Sequence, residues 1–469
     1  MTAPARPAVQ PARPWAFPVP RRTVVDNGMT VLGYDIPGQH VLSVRLAVPA
    51  PLAGEPHGRE GVGALMARTL DEGTRRHGAQ ELLELVERNG VALSAAVGER
   101  GLVVSMDVPR PRLGPALDLL QEVLTEADFP HAEVARHVRA RLAEIEQERS
   151  VPSQRAHLEF LTTFYDPTDR LAVPTGGTSD SLAALGRDQL LHYHAEIVRP
   201  EAATLTVAGH LAGLDIAQLT ASALSGWAPA AGQSQEPAVP DQVSQLDHAP
   251  LPPRWGRRAD DFERVVLVDR PGSVQSELYI GCLGPDRGAD GGWAPYPVLG
   301  FILGGGPQAR LDAVLREEKG FTYGIRCMFR PRAVDGVFVT SGSVRAEVTG
   351  EALALVLGIL DDARDGVDPQ ESQAGIDFVS KTAPSRYATA DAVADEAATR
   401  ALEGSTTEET TQTLQAMAAL TPDQLTEAYR RYVDGRWTIV VVGDGQSCLP
   451  QLRAGLPSGL ADTVSVVPA

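Results

Sequence analysis

Leu185-Gly-Arg-Asp188-Gln189-Leu190, followed by Thr204-Leu-Thr-Val-Ala-Gly209, returns as Leu420-Thr-Pro-Asp423-Gln424-Leu425 followed by Thr438-Ile-Val-Val-Val-Gly443. In each copy an Asp-Gln-Leu helix start precedes a β-rich run that stops at glycine. The triplets lie 235 residues apart and the terminal glycines 234 apart. Two matches in one order at nearly one offset predict a chain made of two homologous halves.

Outward from the repeat, Met29–Val31, Leu42–Val48 and Leu102–Val108 read as strands. Glu81–Arg88 and Leu113–Leu124 space their apolar residues as helices do, and Asn89-Gly90 stops the first of them. Val265–Asp269 and Glu277–Cys282 open the second half in the same way. The expected class is α+β, each half a largely antiparallel sheet with helices packed on it. Proline content sets the boundaries: a Pro-rich arm at 1–21, a first half at 22–226, a linker at 227–262, a second half at 263–455 and a tail at 456–469.

Composition narrows the partners. A chain of 469 residues exceeds what one core supports. Its net charge of −18 argues against nucleic acid and anionic membranes. Cys282, Cys327 and Cys448 are odd in number and scattered, which fits a reducing compartment and neither a disulfide framework nor a cysteine zinc site. No apolar run is long enough to span a bilayer, and residues 1–22 hold six prolines and no apolar signal core. A cytoplasmic location is expected.

Residues 61–74 begin Gly61-Val62-Gly63-Ala64-Leu-Met-Ala67-Arg68 and end Gly73-Thr74. Alone they describe an amphipathic core helix. With their flanks they resemble the zinc helix of the insulinase/pitrilysin (inverzincin) metallopeptidases, where H-x-x-E-H follows a Gly-Val-Ala-like lead and closes at Gly-Thr. The positions of the two histidine ligands and the general base hold Ala64, Arg68 and Ala67. The family's third ligand, a Glu about 76 residues on, falls at Glu144 within Leu142-Ala-Glu-Ile-Glu-Gln-Glu148. One carboxylate without two imidazoles holds zinc poorly, so Glu144 is expected to be a solvated relic. Tyr165-Asp-Pro-Thr-Asp-Arg170 through Gly176-Gly-Thr178, and Asp269-Arg-Pro-Gly272, also match, so the resemblance spans about residues 22–455.

In the second half, Leu303-Gly304-Gly305-Gly306-Pro-Gln-Ala-Arg310-Leu311 precedes Leu315-Arg316-Glu-Glu-Lys-Gly-Phe-Thr-Tyr323-Gly324. This resembles the family's Gly-rich segment and its Arg-and-Tyr pair, seven residues apart. The resemblance implies substrate contact at Gly304, Gly305 and Gly306, and hydrogen bonds from Arg316 and Tyr323 to a scissile carbonyl as it becomes an oxyanion. The bland alternatives are an Arg316–Asp312 pair one helical turn apart and a half-buried strand tyrosine. No Lys-Ser/Thr follows the glycines, so a phosphate loop is not expected. His131, Glu133 and His137 lack the spacing of a metal site, and His192 and His194 point to different helix faces.

The chain is therefore similar to the non-catalytic subunit of mitochondrial processing peptidase. The resemblance implies half of a clamshell, no cofactor in this chain, and a zinc-bearing homologous partner that carries H-x-x-E-H. Together they would hydrolyse peptides, leader removal being one task, with no nucleic acid or membrane involved. The alternative is a structural or peptide-binding scaffold subunit with no catalytic role.

Overall fold

The computed structural model describes residues 15–228, 263–333 and 335–469. The first half contains β1 (Arg21–Val24), β2 (Thr30–Asp35), β3 (Val41–Pro49), β4 (Ala92–Gly98), β5 (Gly101–Pro109) and β6 (Thr204–Gly209). These form one sheet in the order β1-β2-β6-β3-β5-β4. Its helices are α1 (Val62–Thr69), α2 (Ala79–Arg88), α3 (Leu113–Glu126), α4 (His131–Ser150), α5 (Pro152–Phe164), α6 (Ser179–Ala183), α7 (Arg187–Ile197) and α8 (Ile216–Ala223).

The second half repeats the plan. β7 (Arg264–Asp269), β8 (Gln275–Gly284), β9 (Arg326–Arg330), β10 (Gly336–Arg345), β11 (Thr438–Gly443) and β12 (Ser465–Pro468) make a sheet ordered β12-β7-β11-β8-β10-β9. Helices α9 (Pro295–Gly300) and α10 (Arg310–Asp312) each run on as a π-helical stretch, to Gly305 and Glu318. They are followed by α11 (Thr349–Asp362), α12 (Pro369–Arg386), α13 (Ala390–Leu402), α14 (Thr407–Ala418), α15 (Pro422–Tyr432), α16 (Gly445–Gly455) and α17 (Ser458–Ala461). The repeated triplets start α7 and α15, and the repeated β-runs are β6 and β11, each the third strand of its sheet. Among the described residues only β2–β6, β7–β11 and β7–β12 pair in parallel.

The central strands are buried along nearly their whole length, which is why they read as continuous apolar runs rather than alternating ones. One face of each sheet carries its own half's helices. The other face carries a helix from the opposite half. Phe160 and Phe164 of α5 pack on Val266, Val268, Val440 and Val442 of the second sheet. Burying each ring contributes about 2–3 kcal/mol. A side chain at Gly281 of β8 would run into Phe160 at 2.5 Å, so that strand position must be bare. Reciprocally, Ala390, Val393, Ala394 and Ala397 of α13 lie on Tyr34 and Ala208 of the first sheet, and Arg45 Nε donates to Asp395 Oδ1 at 2.6 Å.

Three boundaries differ from the sequence expectation. Residues 15–20 of the expected arm are docked: Trp15 stacks on Tyr387 at 5.6 Å, and the buried Phe17 donates its backbone N–H to Thr411. Their aromatic rings override the proline signal, while residues 1–14 lie outside the described residues. Trp227, at the start of the expected linker, is a core residue whose indole donates to Val198 O; residues 229–262 lie outside the described residues. The expected tail is structural too, since β12 extends the second sheet alongside β7. Four residues are too short a run to announce a strand by periodicity.

Candidate functional site

Helix α1 is anchored by buried charge. Glu55 accepts from the backbone N–H groups of Gly61 and Gly63 at 3.1 and 2.9 Å, tying down two otherwise unpaired donors of the helix start. Arg170, with no exposed side-chain surface, donates to Glu55 at 2.8 Å and to the carbonyl of Val173 at 2.7 Å. Gly61 has φ +93°, and an added Cβ there would meet the Gly176–Gly177 backbone at 2.8 Å. Backbone packs on backbone at this point, which explains why the Gly-Val-Gly lead and the Gly176-Gly177-Thr178 segment occur together. At the far flank the buried Thr74 hydroxyl donates to Glu122.

On this frame Ala64 and Arg68 face a cleft, while Ala67 is buried in the core. Arg68 Nη1 donates to Glu144 Oε1 at 2.7 Å. Arg141, itself buried, donates to Glu144 Oε2 at 3.2 Å, grips Glu148 through both Nη atoms and reaches Gly176 O at 3.3 Å. These bonds, that from Arg68 first, hold the Glu144 carboxyl below the usual carboxylate range. The expected solvated relic is thus an ion-paired residue: the cation that balances Glu144 is a guanidinium. The residues do not fit a metal, because the alanines offer no donor atom and Arg68 brings positive charge to the place where a cation would sit. Among the described residues, no group of three or more His, Cys, Asp or Glu could hold one.

Arg316 and Tyr323 stand apart from that cleft. Arg316 follows α10 with its side chain 47% exposed and its Nε 3.4 Å from Glu317. Tyr323 is 93% exposed and has no hydrogen-bond partner among the described residues. Neither bland alternative holds. Asp312 is buried and occupied by Ile325 N at 2.9 Å and Arg326 Nη1 at 2.6 Å, and Tyr323 is neither half-buried nor in a strand. Gly304 presses on β9, where a Cβ would meet Cys327 N at 2.5 Å, and one on Gly306 would meet the Phe301 ring at 2.9 Å. A Cβ on Gly305 would meet Gly300 O at 3.2 Å. Arg310 of the same segment pairs with Glu371 at 2.7 Å.

The cleft beside Arg68 measures about 770 Å³ and lies between the halves. Arg330, Arg332 and Tyr279 of the second half line it opposite Ala64, Arg68 and His157. None of the second-half residues was marked by sequence reasoning. Arg170 lay inside a quoted segment, and no sequence signal distinguished Arg141, Arg330 or His157. Of the histidines and the carboxylate considered for a metal, His137 contacts Glu72 at 2.7 Å, Glu133 accepts from Arg136, and the buried Nε2 of His194 has no hydrogen-bond partner among the described residues. All three cysteines are free and buried, and no helix among the described residues is long and apolar enough to cross a membrane.

Residues 30–176 match the sequence profile described as insulinase (peptidase family M16), and residues 184–377 that of the peptidase M16 inactive domain. An uncharacterized zinc protease of Mycobacterium tuberculosis is 24% identical over 373 residues, covering 79% of this chain and 80% of that protein. Two solved structures share the fold. A peptidase M16 inactive domain from Pseudomonas fluorescens aligns with a TM-score of 0.78 and 21% identity, over 91% of this chain and 98% of that one. A protease from Helicobacter pylori aligns with a TM-score of 0.79 and 15% identity, over 91% of this chain and all of that one (100%). The two profiles together cover more than two-thirds of the residues, and the chain belongs to peptidase family M16.

Proposed function

We propose that this chain is the metal-less subunit of a two-chain peptidase whose partner is a homologous M16 chain carrying H-x-x-E-H and the zinc. The observation that carries the reading is the Arg68–Glu144 ion pair, which fills the ligand position with a fixed positive charge. Hydrolysis therefore has to be completed by another chain. Arg316 and Tyr323 suit a contribution in trans, because both side chains project from the surface. Their N–H and O–H groups would donate to the substrate carbonyl as negative charge develops on it, and the chain would form part of the chamber wall. Precursor peptides losing a leader segment are the proposed substrates.

The test is complementation. The purified chain and a homologous M16 chain carrying H-x-x-E-H are assayed separately and mixed, on a quenched fluorescent peptide. Activity confined to the mixture is expected. Full activity of the homologue alone would refute the shared site.

A further inference from the structure

The cleft between the halves has an uneven charge balance. Arg68 is matched by Glu144, Arg141 by Glu148, Arg332 by Glu99 and the deeply buried Arg170 by Glu55. Arg330, at the end of the edge strand β9, has no such carboxylate among the described residues. Among the described residues its Nε donates to the Met328 sulfur alone, at 3.1 Å, and its side chain is exposed at the cleft wall. On a chain with a net charge of −18, this wall carries one positive charge in excess.

Polar groups without charge stand beside it. His157 Nδ1 lies 3.0 Å from the Tyr279 hydroxyl, and both side chains face the cleft. Burial first, and then the fields of Arg330 and Arg332, push the His157 imidazole down to about 4. At neutral pH this pair is an uncharged hydrogen-bonding surface. Leu52, Leu65, Val97 and Leu158 supply apolar wall. The volume of about 770 Å³ is that of a ligand site, and far more than a lone ion requires.

We propose that this cleft binds a peptide through a carboxylate, which Arg330 neutralises while the hydrogen-bonded His157–Tyr279 pair donates its one remaining proton to it and the leucine-lined wall takes neighbouring side chains. The carboxylate is either a peptide C-terminus or an acidic side chain. This binding belongs to the present chain and does not depend on a catalytic partner.

Isothermal titration of the full chain with three N-acetyl pentapeptides tests it. One is Ala-Ala-Leu-Ala-Ala with a free C-terminus, one is its C-terminal amide, and one is the amide of Ala-Ala-Leu-Glu-Ala. At least one carboxylate-bearing peptide should bind ~10-fold or more tightly than the neutral amide, in the range of a charge-assisted contact. Which of the two it is identifies the source of the carboxylate. Arg330→Ala should abolish the preference, and Arg330→Lys should retain part of it. Equal affinity for all three peptides, no measurable binding by any of them at millimolar concentration, or a preference that survives in Arg330→Ala would overturn the proposal. The peptide comparison is made on the wild-type chain, so it stands whatever the variants do to folding.

Discussion

Tyr323→Phe removes a single oxygen, and the structure sets two different magnitudes for its effects. The ring is 93% exposed and the hydroxyl has no hydrogen-bond partner among the described residues. Folding stability of the isolated chain should therefore change by less than about 0.5 kcal/mol, as for a surface substitution that touches nothing. In a complex where that hydroxyl donates to a developing oxyanion, its loss should cost about 2.7–4 kcal/mol, or ~100–1,000-fold in turnover. The assay combines a thermal melt of the isolated variant with kcat and KM of the assembled complex and its zinc content. The expected result is an unchanged melt, unchanged zinc, and a fall in kcat with little change in KM, since the contact forms mainly in the transition state. Arg316→Ala should behave alike, because its surface contact with Glu317 is worth at most about 1 kcal/mol to the fold. Wild-type turnover in a well-assembled Tyr323→Phe complex would refute the catalytic assignment, and a scaffold role would then be the better reading.

Ala64→His with Arg68→His should give the isolated chain a zinc site, because position 68 already meets Glu144 across α1 and α4 and Ala64 faces the same cleft. Elemental analysis showing no more metal in the double variant than in wild type would count against that geometry. Glu55→Gln should destabilise the chain by about 3–5 kcal/mol in urea unfolding, since it leaves the Arg170 guanidinium charged and buried with no counter-charge. A loss below 1 kcal/mol, in roughly surface-pair range, would show that the pair is not what anchors α1. Burial pushes the Asp169 carboxyl up to about 6 from an ordinary value of 3.8. The native chain then holds the extra proton across that window, so this residue's contribution to stability falls as pH rises from 3.8 to about 6. Asp169→Asn should be the more stable form at pH 7 by roughly 2–3 kcal/mol, and urea midpoints at several pH values should show the advantage vanish near pH 4.

The elements that were legible in the sequence are those whose signal is local. The Asp-Gln-Leu triplets and the Val-rich runs gave α7, α15, β6 and β11, and with them the duplicated plan. The amphipathic runs gave α2 and α3, and the Gly-Val-Gly and Gly-Thr flanks located α1. What stayed hidden depends on distance in the chain. An apolar stripe on α5 or α13 states that a helix face is buried, but not which sheet covers it. Glu144 could be aligned by counting from Arg68, yet its pairing with that same arginine needed the approach of α1 to α4. Arg330 and His157 line one cleft from opposite halves, more than 150 residues apart, and neither carries a motif.

The reciprocal placement of α5 and α13 also bears on how such a chain could arise. These two helices hold matching positions in the repeat, each following the long helix α4 or α12. A half-length ancestor with this plan would have left one face of its sheet bare unless a second copy lent it a helix. Two identical copies exchanging that helix form a closed symmetric homodimer, the commonest kind of oligomer. Joining them into a single polypeptide freed each copy from identity with the other. Each copy could then change without the other, and the exposed tyrosine after α10 now belongs to the second half alone as the Arg68–Glu144 pair belongs to the first.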